Sequence, residues 1–110
     1  IKNNLPNDLF INLMGKSLTS TSAYMKKSNL FIGNDSGLMH LSVASNLKTI
    51  ALFGPTNDKI YGHYNFNSFV IRTKESYEDF NRMTMNNSQT YMSSIEPEDV
   101  LNYIIINSLL

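Results

Sequence analysis

The sequence predicts an α/β fold in which a mainly parallel sheet is flanked by helices. Apolar runs of strand length alternate with segments of helical periodicity along the 110 residues. Strands that alternate with helices are typical of βαβ units. The composition, 42% hydrophobic and 16% charged, fits one globular domain. Four strands are expected from the apolar runs, at residues 9–13, 29–33, 48–54 and 67–73.

Three helices are expected from apolar side chains that recur at helical spacing. Ser94 is a candidate N-cap for the last of them, and Asn46 stands where the second can be capped at its end. Segment 54–65 is rich in turn residues and is predicted to be a loop. Segment 75–89 is also predicted to be mostly loop, with one helical turn near 77–82. The three helices are expected at residues 17–27, 36–45 and 97–108.

Charge and residue usage exclude several classes of function. The net charge is zero and the pI is about 6.9, whereas nucleic-acid binders usually carry a basic patch. The chain has no cysteine, and His40 and His63 lack the spacing of a zinc enzyme, so no metal site is predicted. No apolar run approaches the ~18 residues of a membrane span. Because the first residue is Ile1, we expect the chain to be a piece of a longer protein.

Three loops are predicted to leave the carboxyl ends of the strands, where open parallel sheets bind ligands. Each begins with glycine, and glycine lets the backbone approach a ligand closely. Ser36 and Gly37 can offer N–H groups at a helix N-terminus to a pyrophosphate, and Lys16 can add a positive charge. Asp35 can accept hydrogen bonds from sugar hydroxyls, and His40 can donate to a phosphate oxygen or orient Asp35. The loops are residues 15–17, 33–37 and 54–58.

A purely structural interpretation exists for each of these residues taken alone. Asp35 or Ser36 can be an N-cap, which is worth about 1 kcal/mol, and His40 can be a structural histidine. The stretch at 15–17 lacks the spacing of a P-loop, and no G-x-G-x-x-G is present. From the residues alone, the prediction is an α/β unit with a phosphate-binding edge. Three methionines are expected to fill the core: Met14, Met25 and Met39.

The combination of motifs is more specific than its parts. INLMGKSL is followed by SNLFIGNDSGLMHLSVASNLKTIALFGPTND, and YMSSIEPEDVLNYI closes the chain. Together they resemble glycosyltransferase family 9, the heptosyltransferases, whose members show G-K-T-S-L, then I-G-N-D-S-G-x-x-H-L-A-A-A and a strand that ends in F-G-P-T. GKSL is one residue shorter than the family's first motif, and cysteines common in the family after the fourth strand are absent here.

The resemblance implies a Rossmann-like parallel sheet with flanking helices, part of the C-terminal nucleotide-sugar-binding domain of a GT-B glycosyltransferase. Residues 1–110 are then part of that domain, and the N-terminal acceptor domain is missing. The implied reaction is inverting, metal-independent transfer of heptose from ADP-heptose to a lipopolysaccharide inner-core acceptor, with no cofactor. By the same resemblance, segment 54–56 forms a neighbouring wall of the donor-binding site. The donor-binding residues carried over from the motifs are Lys16, Ser17, Asp35, Ser36, Gly37 and His40.

The resemblance also sets limits on what this chain can do. The acceptor site and the general base are expected in the missing domain, so no catalytic residue is assigned and no turnover is expected from this chain alone. The expected partners are a nucleotide-sugar donor and a lipid-linked saccharide acceptor, and the expected location is the cytoplasm, peripheral to the inner membrane. Two alternatives stay open: a non-enzymatic nucleotide- or phosphate-binding module, and a structural domain in which GNDSG is only a helix cap.

Overall fold

The computed structural model of the chain describes residues 5–62, 65–86 and 89–110. Three strands, β1 (Phe31–Asn34), β2 (Thr49–Phe53) and β3 (Ser68–Arg72), form a parallel sheet in chain order. Phe31 lies opposite Thr49, and Thr49 lies opposite Ser68, so all three strands end at the same edge. This arrangement confirms the predicted α/β fold class.

Five α-helices accompany the sheet in the described part of the chain. The three predicted helices form, each shorter at its ends than expected, and the helical turn predicted near 77–82 is a real helix. The prediction of an uninterrupted loop at 54–65 is wrong, because the Asn57 side chain accepts the Lys59 N–H at 3.1 Å and caps a short helix. The helices are α1 (Leu18–Met25), α2 (Gly37–Ala44), α3 (Asp58–Tyr61), α4 (Tyr77–Arg82) and α5 (Pro97–Ile106).

The sheet is covered on both faces, by α2 on one and α5 on the other. Side chains of a strand alternate between the two faces. Phe53 and Ala51 therefore pack with Met39 of α2, whereas Ile50 packs with Ile104 of α5. All five of these side chains are buried. The continuous apolar run of β2 had predicted this burial on both faces.

The predicted strand at 9–13 does not form. Asn7–Leu9 is a single 3-10 turn, and the residues after it are extended but pair with no described strand. The Met14 N–H bonds to the Asn12 side chain, and the Lys16 N–H bonds to the Leu13 carbonyl. An apolar run becomes a strand only where a neighbouring strand supplies its hydrogen bonds, and here turns supply them instead.

The N-terminal part of the sequence also misled the prediction of the core. Met14 is 87% exposed because its segment lies outside the sheet, whereas Met25 and Met39 are buried as predicted.

Ser94 is not an N-cap: α5 starts after Glu96, and Ser94 bonds to Lys74 and Glu75 instead. His63 lies outside the described residues.

Polar contacts fix α2 over the sheet. The hydroxyls of Ser42 and Thr49 are 2.8 Å apart, and both residues are buried. Asn46, just beyond the last turn of α2, has a positive φ of 57°, as expected for a residue that ends a helix. No described helix is long and apolar enough to cross a membrane.

Helix α4 supplies a test of local stability. The Ser76 N–H donates to Asp79 Oδ2 at 2.9 Å, and this bond, with that of the Ser76 hydroxyl, lowers the pKa of Asp79 below its ordinary value of 3.8. Because the pKa of Asp79 is lower in the folded state, the ionised carboxylate stabilises the fold at pH values above the ordinary pKa. This stabilisation is lost as the pH falls through the pKa of the folded state. Asp79→Asn should therefore lower the Tm slightly at pH 7 and less at pH 3. An equal decrease at both pH values would contradict this.

Candidate functional site

The candidate site lies at the carboxyl edge of the sheet, where β1 and β2 end side by side. The Asp35 N–H donates to the Leu52 carbonyl at 3.3 Å, which extends the pairing of the two strands by one residue. The two loops that follow, Asp35 to Ser36 and Gly54 to Asn57, are therefore neighbours, about 4.8 Å apart where the strands end. The sequence had predicted this juxtaposition from the position of the loops alone.

The N-terminus of α2 points its backbone donors at this edge. Ser36 is extended, with φ −162° and ψ 169°, and its hydroxyl makes no capping hydrogen bond. The first N–H groups of a helix have no intrahelical partner and carry the positive end of the helix dipole. The interpretation of Ser36 as a simple N-cap is therefore not supported, and the donors of the first turn stay available to an anion.

Gly37 is the first residue of α2, and none of the residues that the structure describes requires glycine there. A Cβ built on Gly37 meets no atom within 4 Å, and its φ is not in the left-handed region. By contrast, a Cβ on Gly33 would lie 2.7 Å from the Phe31 ring, so Gly33 has a packing reason. The open space at Gly37 leaves the backbone approachable from solvent.

Asp35 and His40 lie next to each other at the start of α2. His40 Nε2 is 3.7 Å from Asp35 Oδ1, so a protonated imidazole forms an ion pair with the carboxylate. The Asp35 side chain is 16% exposed and the His40 side chain 43% exposed. The carboxylate is thus close enough to orient the ring, and the ring reaches solvent.

A groove runs along α2 beside this pair. It has a volume of about 580 Å³, and its walls are largely apolar. Leu18, at the first turn of α1, faces the start of α2 across this groove. The sequence had placed Leu18 and the edge loop in separate motifs. The lining is Leu18, Ser36, Gly37, Leu38, His40, Leu41 and Ala44.

Lys16 and Ser17 do not line the groove that contains Ser36, Gly37 and His40. Lys16 lines a second groove of about 620 Å³, which shares Leu18 and Leu38 with the first. Ser17 caps α1, because its hydroxyl accepts the Ser20 N–H at 3.2 Å. A capping role therefore accounts for Ser17, whereas Lys16 keeps its charge at the rim of the grooves.

The sequence analysis missed Arg72, the last residue of β3. Its Nη1 is 2.9 Å from Asp58 Oδ1 and 3.0 Å from the Thr56 carbonyl, and its Nη2 donates to the Gly54 carbonyl at 2.6 Å. Arg72 thereby holds the loop that follows β2. The sequence offered one weak signal for this contact. It shows an arginine at the end of a predicted strand and an aspartate in an earlier predicted loop.

No metal-binding cluster is found among the described residues. No three histidine, cysteine, aspartate or glutamate side chains gather within them. The donors at the edge are instead the backbone N–H groups of the first turn of α2 and the His40 imidazole, whereas Lys16 lines the neighbouring groove. Donors of this kind bind anions such as phosphates.

The fold defines a Rossmann-like α/β unit, with the N-terminus of α2 at the carboxyl edge of its parallel sheet. The chain matches the sequence model of glycosyltransferase family 9 (heptosyltransferase) over residues 1–90. It belongs to that family. The segment 97–110, which includes α5, lies beyond the matched region.

Two relatives illustrate the similarity. A lipooligosaccharide heptosyltransferase 2 from Campylobacter jejuni subsp. jejuni is 64% identical over 28 residues, which are 26% of this chain and 9% of that protein. A crystal structure of a family 9 glycosyl transferase from Veillonella parvula DSM 2008 superposes with a TM-score of 0.69 at 33% identity and covers 86% of this chain. This chain spans only 27% of that solved chain.

Proposed function

We propose that this chain forms part of the donor-binding site of a heptosyltransferase. The donor is a nucleotide-sugar of the ADP-heptose type, and the acceptor is a saccharide of the lipopolysaccharide inner core. The observation that carries the proposal is the uncapped N-terminus of α2, with Gly37 open to solvent and His40 beside it. Membership of family 9 and the similarity to the Campylobacter heptosyltransferase support the choice of sugar.

The proposed chemistry is displacement of the diphosphate by an acceptor hydroxyl, with inversion at the sugar carbon and without a metal. The bond between the sugar and the diphosphate breaks, and negative charge develops on the leaving phosphate. The N–H groups of α2 and the His40 ring are placed to stabilise that charge, because fixed donors need no reorganisation during the reaction. Asp35 orients His40 and can accept a hydrogen bond from a sugar hydroxyl.

The remainder of the reaction is assigned to parts of the protein outside this chain. The acceptor site and the general base belong to an N-terminal domain, and residues 1–110 belong to a C-terminal domain of GT-B architecture. The comparison with a solved chain of much greater length supports this division. The protein would work in the cytoplasm, peripheral to the inner membrane, where a lipid-linked acceptor is accessible.

Calorimetric titration of the complete protein, as its gene encodes it, tests the proposal. His40→Ala should weaken binding of both ADP and ADP-heptose by roughly tenfold, because a hydrogen bond to a charged group is lost. Asp35→Asn should weaken ADP-heptose binding more than ADP binding, because the sugar hydroxyl loses its acceptor. Asp99→Asn is the matched control, since α5 lies on the opposite face of the sheet from α2.

Several outcomes would contradict the assignment. If both variants bind as the unsubstituted protein does, the site is wrong. If the complete protein binds ADP but transfers no heptose to any inner-core acceptor, it is a nucleotide-binding module and not a transferase. If Asp35→Asn changes only the Tm, the GNDSG loop is a structural element.

A further inference from the structure

We infer that Arg72 is a positioning residue that fixes the loop from Gly54 to Asp58 as one wall of the donor site. The inference rests on the proposed function and adds a residue that no motif of the sequence indicated. Arg72 makes three contacts with this one loop, to the Gly54 carbonyl, the Thr56 carbonyl and the Asp58 carboxylate. Its guanidinium group thereby connects the first, middle and last residues of the loop.

The register of the sheet places this contact next to the candidate site. Arg72 lies opposite Phe53, so its side chain leaves the sheet on the face that α2 covers. Gly54 directly follows the end of β2. On the side of β2 away from Arg72, the Asp35 N–H bonds to the Leu52 carbonyl. The loop therefore follows the middle strand of the sheet, with Arg72 at the end of β3 on one side and Asp35 at the end of β1 on the other.

The shape of the guanidinium group suits this task better than its charge does. Arginine presents five donors in a planar fork, and two different nitrogens of Arg72 reach two different carbonyls. The side chain is only 17% exposed, and that of Asp58 is 20% exposed. A lysine could keep the ion pair with Asp58, but its single nitrogen cannot span both carbonyls.

The charges around Arg72 are nearly balanced. Asp58 faces it directly, and Glu78 at the start of α4 lies close enough to be influenced. A backbone hydrogen bond mainly lowers the pKa of Glu78, with smaller contributions from Lys59 and Arg72. With the Asp58 carboxylate 2.9 Å away, Arg72 offers little net positive charge to a distant phosphate. This favours a positioning role over direct attraction of the ligand.

Titration of the complete protein with ADP separates positioning of the loop from direct attraction of the phosphates. The two roles predict opposite changes in ADP affinity for Asp58→Asn. Arg72→Lys should weaken ADP binding by roughly tenfold, because the contacts of the fork to the loop are lost. Asp58→Asn should also weaken binding if Arg72 positions the loop. If Arg72 attracted the phosphates directly, Asp58→Asn would free its charge and strengthen binding. Lys59→Met is the control, since Lys59 contacts Glu78 only at 3.9 Å and is 79% exposed.

The outcomes are distinguishable from a failure of the proposed function. No ADP binding by the unsubstituted protein would overturn the proposed function, and with it this role of Arg72. Normal ADP binding by the unsubstituted protein and by both variants would overturn the role of Arg72 alone. Stronger binding by Asp58→Asn would likewise overturn it in favour of direct attraction. A lower Tm with unchanged affinity in both variants would show that the contact is only structural.

Discussion

Replacing Gly37 with valine is expected to weaken ADP binding by at least about tenfold while the protein stays folded. The side chain would project from the first residue of α2 into space that no described residue occupies. A phosphate held by the N–H groups of this turn must approach the backbone closely, and a branched side chain stands in its way. Calorimetric titration gives the affinity, and thermal unfolding gives the Tm of the same samples.

The alanine variant makes the test sharper, because affinity and stability should change in opposite directions. Gly→Ala in a helix stabilises by up to about 1 kcal/mol. Gly37→Ala should therefore keep or raise the Tm and still lower the affinity, though less than valine does. Ala23→Val, on the exposed side of α1, places a valine away from the site and should leave the affinity unchanged, while the lower helix propensity of valine lowers the Tm slightly. Equal affinities of all these variants would remove Gly37 from the site.

The fold class and two of the three edge loops, 33–37 and 54–58, were predictable because their signals are local, whereas the loop at 15–17 follows no strand. Alternation of apolar runs with helical spacing locates strands and helices, and glycine marks where a strand ends. The motif around Asp35 thus appears where expected, with His40 one turn into α2 and beside the carboxylate. Local patterns cannot report pairing, however. Segment 9–13 has the composition of a strand, but no strand lies beside it within the described part of the chain.

The role of Arg72 was not predictable, because it depends on the register of two strands. Residue 72 and residue 53 are brought side by side only when β2 and β3 pair as they do. The loop partners of Arg72 are 14 to 18 residues away in the sequence, and two of them are backbone carbonyls, which no residue type reveals. Helix α3 was not predicted for a different reason: it has only four residues, and turn-forming residues surround it.

Met39→Ala is expected to cause the largest loss of stability among single substitutions near the site, about 2–5 kcal/mol. Met39 is completely buried between α2 and the sheet, where it packs with Ala51 and Phe53. Truncation leaves a cavity that the surrounding side chains fill only in part. A domain is typically stable by only 5–15 kcal/mol, so a loss of about this size lowers the urea midpoint clearly.

The position of Met39 connects this loss to the site. It lies in the first turn of α2, between Gly37 and His40, so the helix start that bears the proposed donors is anchored through it. Met39→Leu keeps most of the volume and should cost less than about 1.5 kcal/mol. Met14→Ala is the matched control: the same substitution at a side chain that is 87% exposed should change the free energy of unfolding by no more than about 0.5 kcal/mol. Equal losses from Met39→Ala and Met14→Ala would mean that α2 does not pack on the sheet as described.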